Sequence, residues 1–167
     1  MIVDNIMERF DNPWLRIPVA ILLGLLASIF DILFHLRGEA RFVFFYFFPV
    51  FVTFFIFVFE RLENYRNIHL AQWGIDAVVV AFSVLRAFYE VPIISGHALF
   101  LTFAFITLKR LSSRVLILLV WFQVLYFKLF VLHDPTFFGG FIFGNIAALL
   151  WFLVYRRNVI SKPVEIQ

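Results

Sequence analysis

Three of the four histidines, His35, His97 and His133, stand where a long apolar run gives way to polar residues. An imidazole can act as general acid, nucleophile or metal ligand near neutral pH. Their local surroundings differ. His97 follows Ser95 and Gly96, a hydroxyl and accessible amides at the start of an apolar run, and a helix start favours an anion. His133 follows Lys128 and is followed by Asp134, Pro135 and Thr136, then Gly139 and Gly140. Asp31 and His35 lie one helical turn apart, at a spacing for two ligands or one hydrogen-bonded pair. Binding of an anionic group is what the Ser95-Gly96 helix start suits.

Composition dictates what positions them. Of 167 residues, 63% are hydrophobic and 15% charged, and 26 are phenylalanine. A soluble domain carries roughly 25% charged residues, and a chain this size cannot hide so much apolar surface in one core. The alternative is a lipid bilayer, spanned by roughly 20 apolar residues per helix. With no cysteine, disulfides and thiolate chemistry are excluded. A net charge of +3 spread over loops is no nucleic-acid footprint. No linker or internal repeat is visible, so the reading is a single domain, residues 1–167.

The expected fold is all-α: a polytopic bundle of six transmembrane helices. The spans run over about 15–36, 42–59, 69–89, 93–108, 115–132 and 137–155. Helices are expected because unpaired backbone groups are costly in lipid. Pro49 should kink the second span. Residues 1–13 place Ile2, Val3, Ile6, Met7 and Phe10 at helical spacing among charges, as an interfacial segment does. Arg9, Arg16, Arg61, Arg66, Lys109, Arg110, Arg114, Arg156, Arg157 and Lys162 fall on one side of the spans. Arg37, Arg41, Arg86 and Lys128 fall on the other. Basic residues favour the cytoplasm, so both termini are expected there, in a plasma (inner) membrane. His35, His97 and His133 then lie on the outer side.

Polar residues keep to single faces. Gln72, Asp76, Ser83, Arg86 and Glu90 share a face of the third span, and Gly24, Ser28, Asp31 and His35 share a face of the first. Charges at mid-bilayer are costly, so these faces should point inward. Arg86 and Glu90 are spaced to pair. In the sixth span Gly140-x3-Gly144, followed by Asn145, allows close helix packing.

The Ser95-Gly96-His97 and His133 stretches, together with the span order, resemble the phosphatidic acid phosphatase type 2 family. That family carries Pro-Ser-Gly-His before its fourth core span and Ser-Arg-x5-His-x3-Asp between the fifth and sixth. In this chain the nearest proline is Pro92, Lys128 stands one position from the family's arginine, and Phe137 occupies the place of its aspartate. The resemblance implies a lipid-phosphate or polyprenyl-phosphate phosphatase working at the outer membrane face without a cofactor. His133 would be the nucleophile and His97 the general acid. Arg86, Ser95, Gly96 and Lys128 would hold phosphate oxygens. Asp134 would stand in for the missing aspartate and orient His133. Membrane lipids are the expected partners, with a lipid phosphate as substrate and no nucleic acid.

Two other readings stay open. Asp31, His35, His97 and His133 are ordinary zinc ligand types, and three such ligands plus water make a hydrolase site. The chain also suits a non-catalytic membrane scaffold, a lipid-binding protein or a transport subunit. Nothing in the residues sets an oligomeric state.

Overall fold

The computed structural model describes residues 12–33, 47–63, 70–88, 94–131 and 137–157. Among them 94% of the backbone is helical and there is no strand. The helices are α1 (Pro13–Leu33), α2 (Phe48–Glu63), α3 (Leu70–Phe88), α4 (Gly96–Thr107), α5 (Leu111–Tyr126) and α6 (Phe137–Tyr155). A π-helical turn, Phe127–Val131, continues α5. Each helix overlaps one of the six expected spans. Leu15–Leu33 and Leu111–Val131 are long and apolar enough to cross a membrane, whereas the apolar stretches of α3, α4 and α6 are shorter. The interfacial segment expected over 1–13 lies mostly outside the described residues, as do His69 and Glu90.

The helices group into two compact units. Residues 1–66 and 108–124 form the first, and residues 67–107 and 125–167 the second.

In the first unit α1 and α2 pack as an antiparallel pair. Asn12 starts α1, its carbonyl accepting the amides of Leu15 and Arg16, and Pro13 takes the first helical position, where no amide is needed. Gly24 permits the close approach. A Cβ there would stand 2.7 Å from Val52 Cγ2 and 3.2 Å from the Val52 nitrogen. Ala20, Val52 and Ile56 form the core, flanked by Phe48, Phe55, Phe59 and Leu116. Pro49 follows a π-helical Phe47 near the start of α2, and the residues before Phe47, where the expected kink would show, lie outside the described ones.

In the second unit α4 is the central helix, packed against both α3 and α6. It is buried on nearly every side, through Ala98, Leu99, Phe100, Leu101, Phe103 and Ala104. Its 12 residues measure roughly 18 Å at about 1.5 Å per residue, well short of a hydrocarbon core of about 30 Å. The contacts of α4 with α6 run in parallel order. Ser95 meets Gly140 near the starts, and the Phe103 and Tyr155 rings meet edge-on further along, 6.2 Å apart.

Among the described residues, members of the expected polar faces point inward. Gln72 and Asp76 on α3 are buried, and so are Ser28 and Asp31 on α1. The opposite faces expose Val78, Phe82 and Leu85 on α3, and Leu22, Leu26, Phe30 and Leu33 on α1. Ser28 and Ser83 return their hydroxyl protons to the carbonyls four residues back, Gly24 at 2.9 Å and Val79 at 2.7 Å. Neither hydroxyl therefore meets an apolar neighbour with its proton unpaired.

Candidate functional site

Ser95 organises the start of α4 through three of its atoms. Its carbonyl accepts the Leu99 amide at 3.0 Å and begins the helix. Its Oγ accepts the Ala98 amide at 3.4 Å, an N-cap bond to the third helical position. Its own amide donates to the Gly140 carbonyl at 2.7 Å. Two glycines make this junction fit. A Cβ on Gly144 would stand 2.7 Å from the Ser95 carbonyl oxygen and 3.0 Å from the Ala98 Cβ. A Cβ on Gly96 would collide with the Ser83 carbonyl oxygen of α3. Ser95 and Gly96, expected as phosphate ligands, therefore also serve as cap and contact point. Among the described residues no acceptor takes the Ser95 hydroxyl proton.

His97 lies in the first turn of α4 and is half-buried. Lys128 is half-buried in the π turn that follows α5. Arg86 belongs to the last turn of α3 by its backbone, and its side chain is outside the description. His133 and Asp134 are also outside it, so the expected nucleophile and its orienting carboxylate have no geometry here. They precede α6, which begins at Phe137, and Gly140 in that helix's first turn is the residue bonded to Ser95. The structure thus brings together Ser95, at the start of α4, and Gly140, in α6.

Of the alternative metal ligands, Asp31 is buried in the first unit, His97 belongs to the second, and His35 and His133 lie outside the description. Among the described residues no three His, Asp or Glu side chains converge to hold a metal.

Deeper in the second unit, the Thr102 hydroxyl donates to Asn145 Oδ1. Asn145 Nδ2 donates to the Phe141 carbonyl at 2.9 Å. This polar link ties α4 to α6 beneath the Ser95–Gly140 contact. Asn145 stood out in sequence beside the glycines, but Thr102 did not, because one threonine in an apolar run carries no pattern.

The first unit holds a charged cluster where three helix ends converge. Glu60 Oε1, near the end of α2, accepts the backbone amides of Lys109 at 2.6 Å and Arg110 at 3.0 Å. It supplies a carboxylate to the positive N-terminus of α5 from a different helix. Glu63 is shared between Arg110 and the buried Arg16, the latter at 3.5 Å. Arg16 also reaches the Ser113 hydroxyl at 3.4 Å. Arg114 Nε donates to the Leu108 carbonyl at 2.6 Å, and the Arg61 guanidinium lies 4.9 Å from the centre of the Phe57 ring. In sequence these basic residues marked one side of the membrane. Glu60 and Glu63 were passed over, although a Glu-Arg-x-Glu run closing an apolar helix signals pairing at that end.

Compared with known protein families, with curated proteins and with solved structures, the chain matches none.

Proposed function

We propose that the chain is an integral membrane phosphatase-like protein acting on a lipid phosphate or polyprenyl phosphate at its outer face. The membrane part is supported by an inverted distribution of side chains. Charged and polar groups such as Arg16, Asp31, Glu60 and Asp76 are buried, while leucines and phenylalanines of α1, α5 and α6 are exposed. The crossing-length stretches in α1 and α5 have only 28% and 17% of their residues buried, unlike the core helix of a soluble domain. Water would penalise this arrangement and hydrocarbon would favour it. On this reading all six helices insert, with both termini in the cytoplasm.

The Ser95–Gly140 hydrogen bond supports the site assignment, because it joins the start of α4, with its Ser95-Gly96-His97 stretch, to α6, the helix that follows His133 and Asp134 in sequence. The His133 imidazole attacks phosphorus and forms a P–N bond as the P–O bond to the lipid alcohol breaks. His97 gives that alcohol its proton. Water then attacks the phosphohistidine, giving its proton back to His97, and the P–N bond breaks to release phosphate and restore the imidazole. Ser95 has a hydroxyl proton to donate to a phosphate oxygen, and Gly96, Arg86 and Lys128 complete the anion's surroundings. Asp134 orients the nucleophile.

A second reading has its own support. Ser95 and Gly96 already have capping and packing roles, as they would in a scaffold or lipid-binding protein without catalysis. The full chain in neutral detergent, given a lipid phosphate or polyprenyl diphosphate without added metal, distinguishes the two. Phosphate release that disappears in His133→Ala and in His97→Ala supports the covalent route. Release unchanged in both variants overturns it, and no release from the parent chain favours the non-catalytic reading.

A further inference from the structure

We propose a second site, separate from the phosphatase-like one: the charged end of the first unit binds the phosphate of an anionic lipid headgroup. The inference rests on the membrane reading but not on catalysis. Among the described residues, five basic side chains belong to this end, Arg16, Arg61, Lys109, Arg110 and Arg114, against two carboxylates, Glu60 and Glu63. The carboxylates are committed within the protein. Glu60 caps α5, and Glu63 bridges Arg16 and Arg110. A surplus of positive charge remains, and it is presented by the exposed Lys109 and the half-buried Arg110 and Arg114.

The neighbouring surface selects a lipid over a free anion. Leu111 and Val115 are exposed on α5 at a four-residue step, followed by Leu118, Leu119 and Phe122. Arg114 sits within this stripe, one turn from Leu111 and from Leu118. A basic head above an apolar track down one helix face matches an amphiphile whose phosphate sits at the interface and whose acyl chain runs into the bilayer. Basic pockets at helix ends on the cytoplasmic side recognise anionic headgroups by this charge.

Native mass spectrometry and thermal unfolding of the full chain in neutral detergent test the site. The probes are phosphatidylglycerol, phosphatidylcholine and inorganic phosphate. Phosphatidylglycerol should bind and raise the unfolding temperature, while the other two leave it unchanged. In a Lys109→Gln, Arg114→Gln double variant its binding should weaken about 25-fold, from about 5-fold per basic residue near a membrane surface. The double variant keeps both carboxylate contacts, and an unchanged helical circular dichroism spectrum checks that it folds. Equal binding of phosphatidylcholine, an equal shift with inorganic phosphate, or undiminished phosphatidylglycerol binding by the folded double variant would each overturn the proposal. A double variant that fails to fold is replaced by Lys109→Gln alone, for which a loss of about 5-fold is expected and no loss overturns it.

Discussion

The amide of Ser95 donates to the carbonyl of Gly140 across 2.7 Å, so the first turns of α4 and α6 are held by one backbone hydrogen bond. A backbone contact this close requires small residues around it, and Gly144 supplies one.

Gly144→Ala should therefore separate the two helix starts. Its new methyl would press on the Ser95 carbonyl, a backbone atom that moves only with its helix. The expected loss is about 1–3 kcal/mol, as for overpacking elsewhere. Gly139→Ala, with nothing within 4 Å of the added Cβ, should stay within about 0.5 kcal/mol of the parent. Thermal unfolding in detergent compares the two, and equal losses would remove the close-approach argument.

Glu60 contributes through charge-assisted bonds to two amides. Glu60→Ala strips the N-terminus of α5 of both, at a cost of about 3–6 kcal/mol given about 1.5–3 for each bond to a charged group. Glu60→Gln keeps an acceptor oxygen and should lose about half as much. The amides of Lys109 and Arg110 should exchange hydrogen faster in the alanine variant, and unaltered protection there would contradict the capping role.

The Arg16–Glu63 pair predicts non-additivity. Arg16 is only 1% exposed, and removing its carboxylate partner leaves a buried charge, a change that costs about 3–5 kcal/mol. Glu63→Leu alone should be destabilising to that degree. Adding Arg16→Met should recover part of the loss, because the stranded charge disappears with it. A double variant whose loss equals the sum of the singles would mean that the two residues are not energetically coupled.

Leu119 tests the surroundings of α5. It is 61% exposed and near the middle of the Leu111–Val131 stretch. In a bilayer, Leu119→Arg should cost about 2.5–3.5 kcal/mol of insertion energy. In water, a surface change of this kind stays within about 0.5 kcal/mol. A membrane-insertion assay on the full chain gives the answer, and insertion undiminished by the arginine would count against the membrane reading.

Much of the architecture is legible in the residues because burial follows composition. Apolar runs bounded by charge marked all six helices. Among the described residues the sixth helix covers the expected range, Phe137–Tyr155, and π-helical backbone continues it through Arg156 and Arg157. The inward faces of α1 and α3 were equally readable, since a four- and three-residue polar spacing has one geometric meaning on a helix.

What the sequence by itself determined is helix content, polar faces and the residue types available for chemistry. Tertiary structure decided what those residues do. Ser95 and Gly96 read as phosphate ligands in one dimension, yet their capping and close-approach roles depend on Ser83, Gly140 and Gly144, which are distant in the chain. Glu60 reads as an ordinary helix-end acid, and it became the cap of α5 only when α2 delivered it to amides 49 and 50 positions away. Local pattern records what a residue can pair with, but packing of whole helices selects the partner. A central helix such as α4, apolar all round, carries no periodic mark of which neighbours will enclose it.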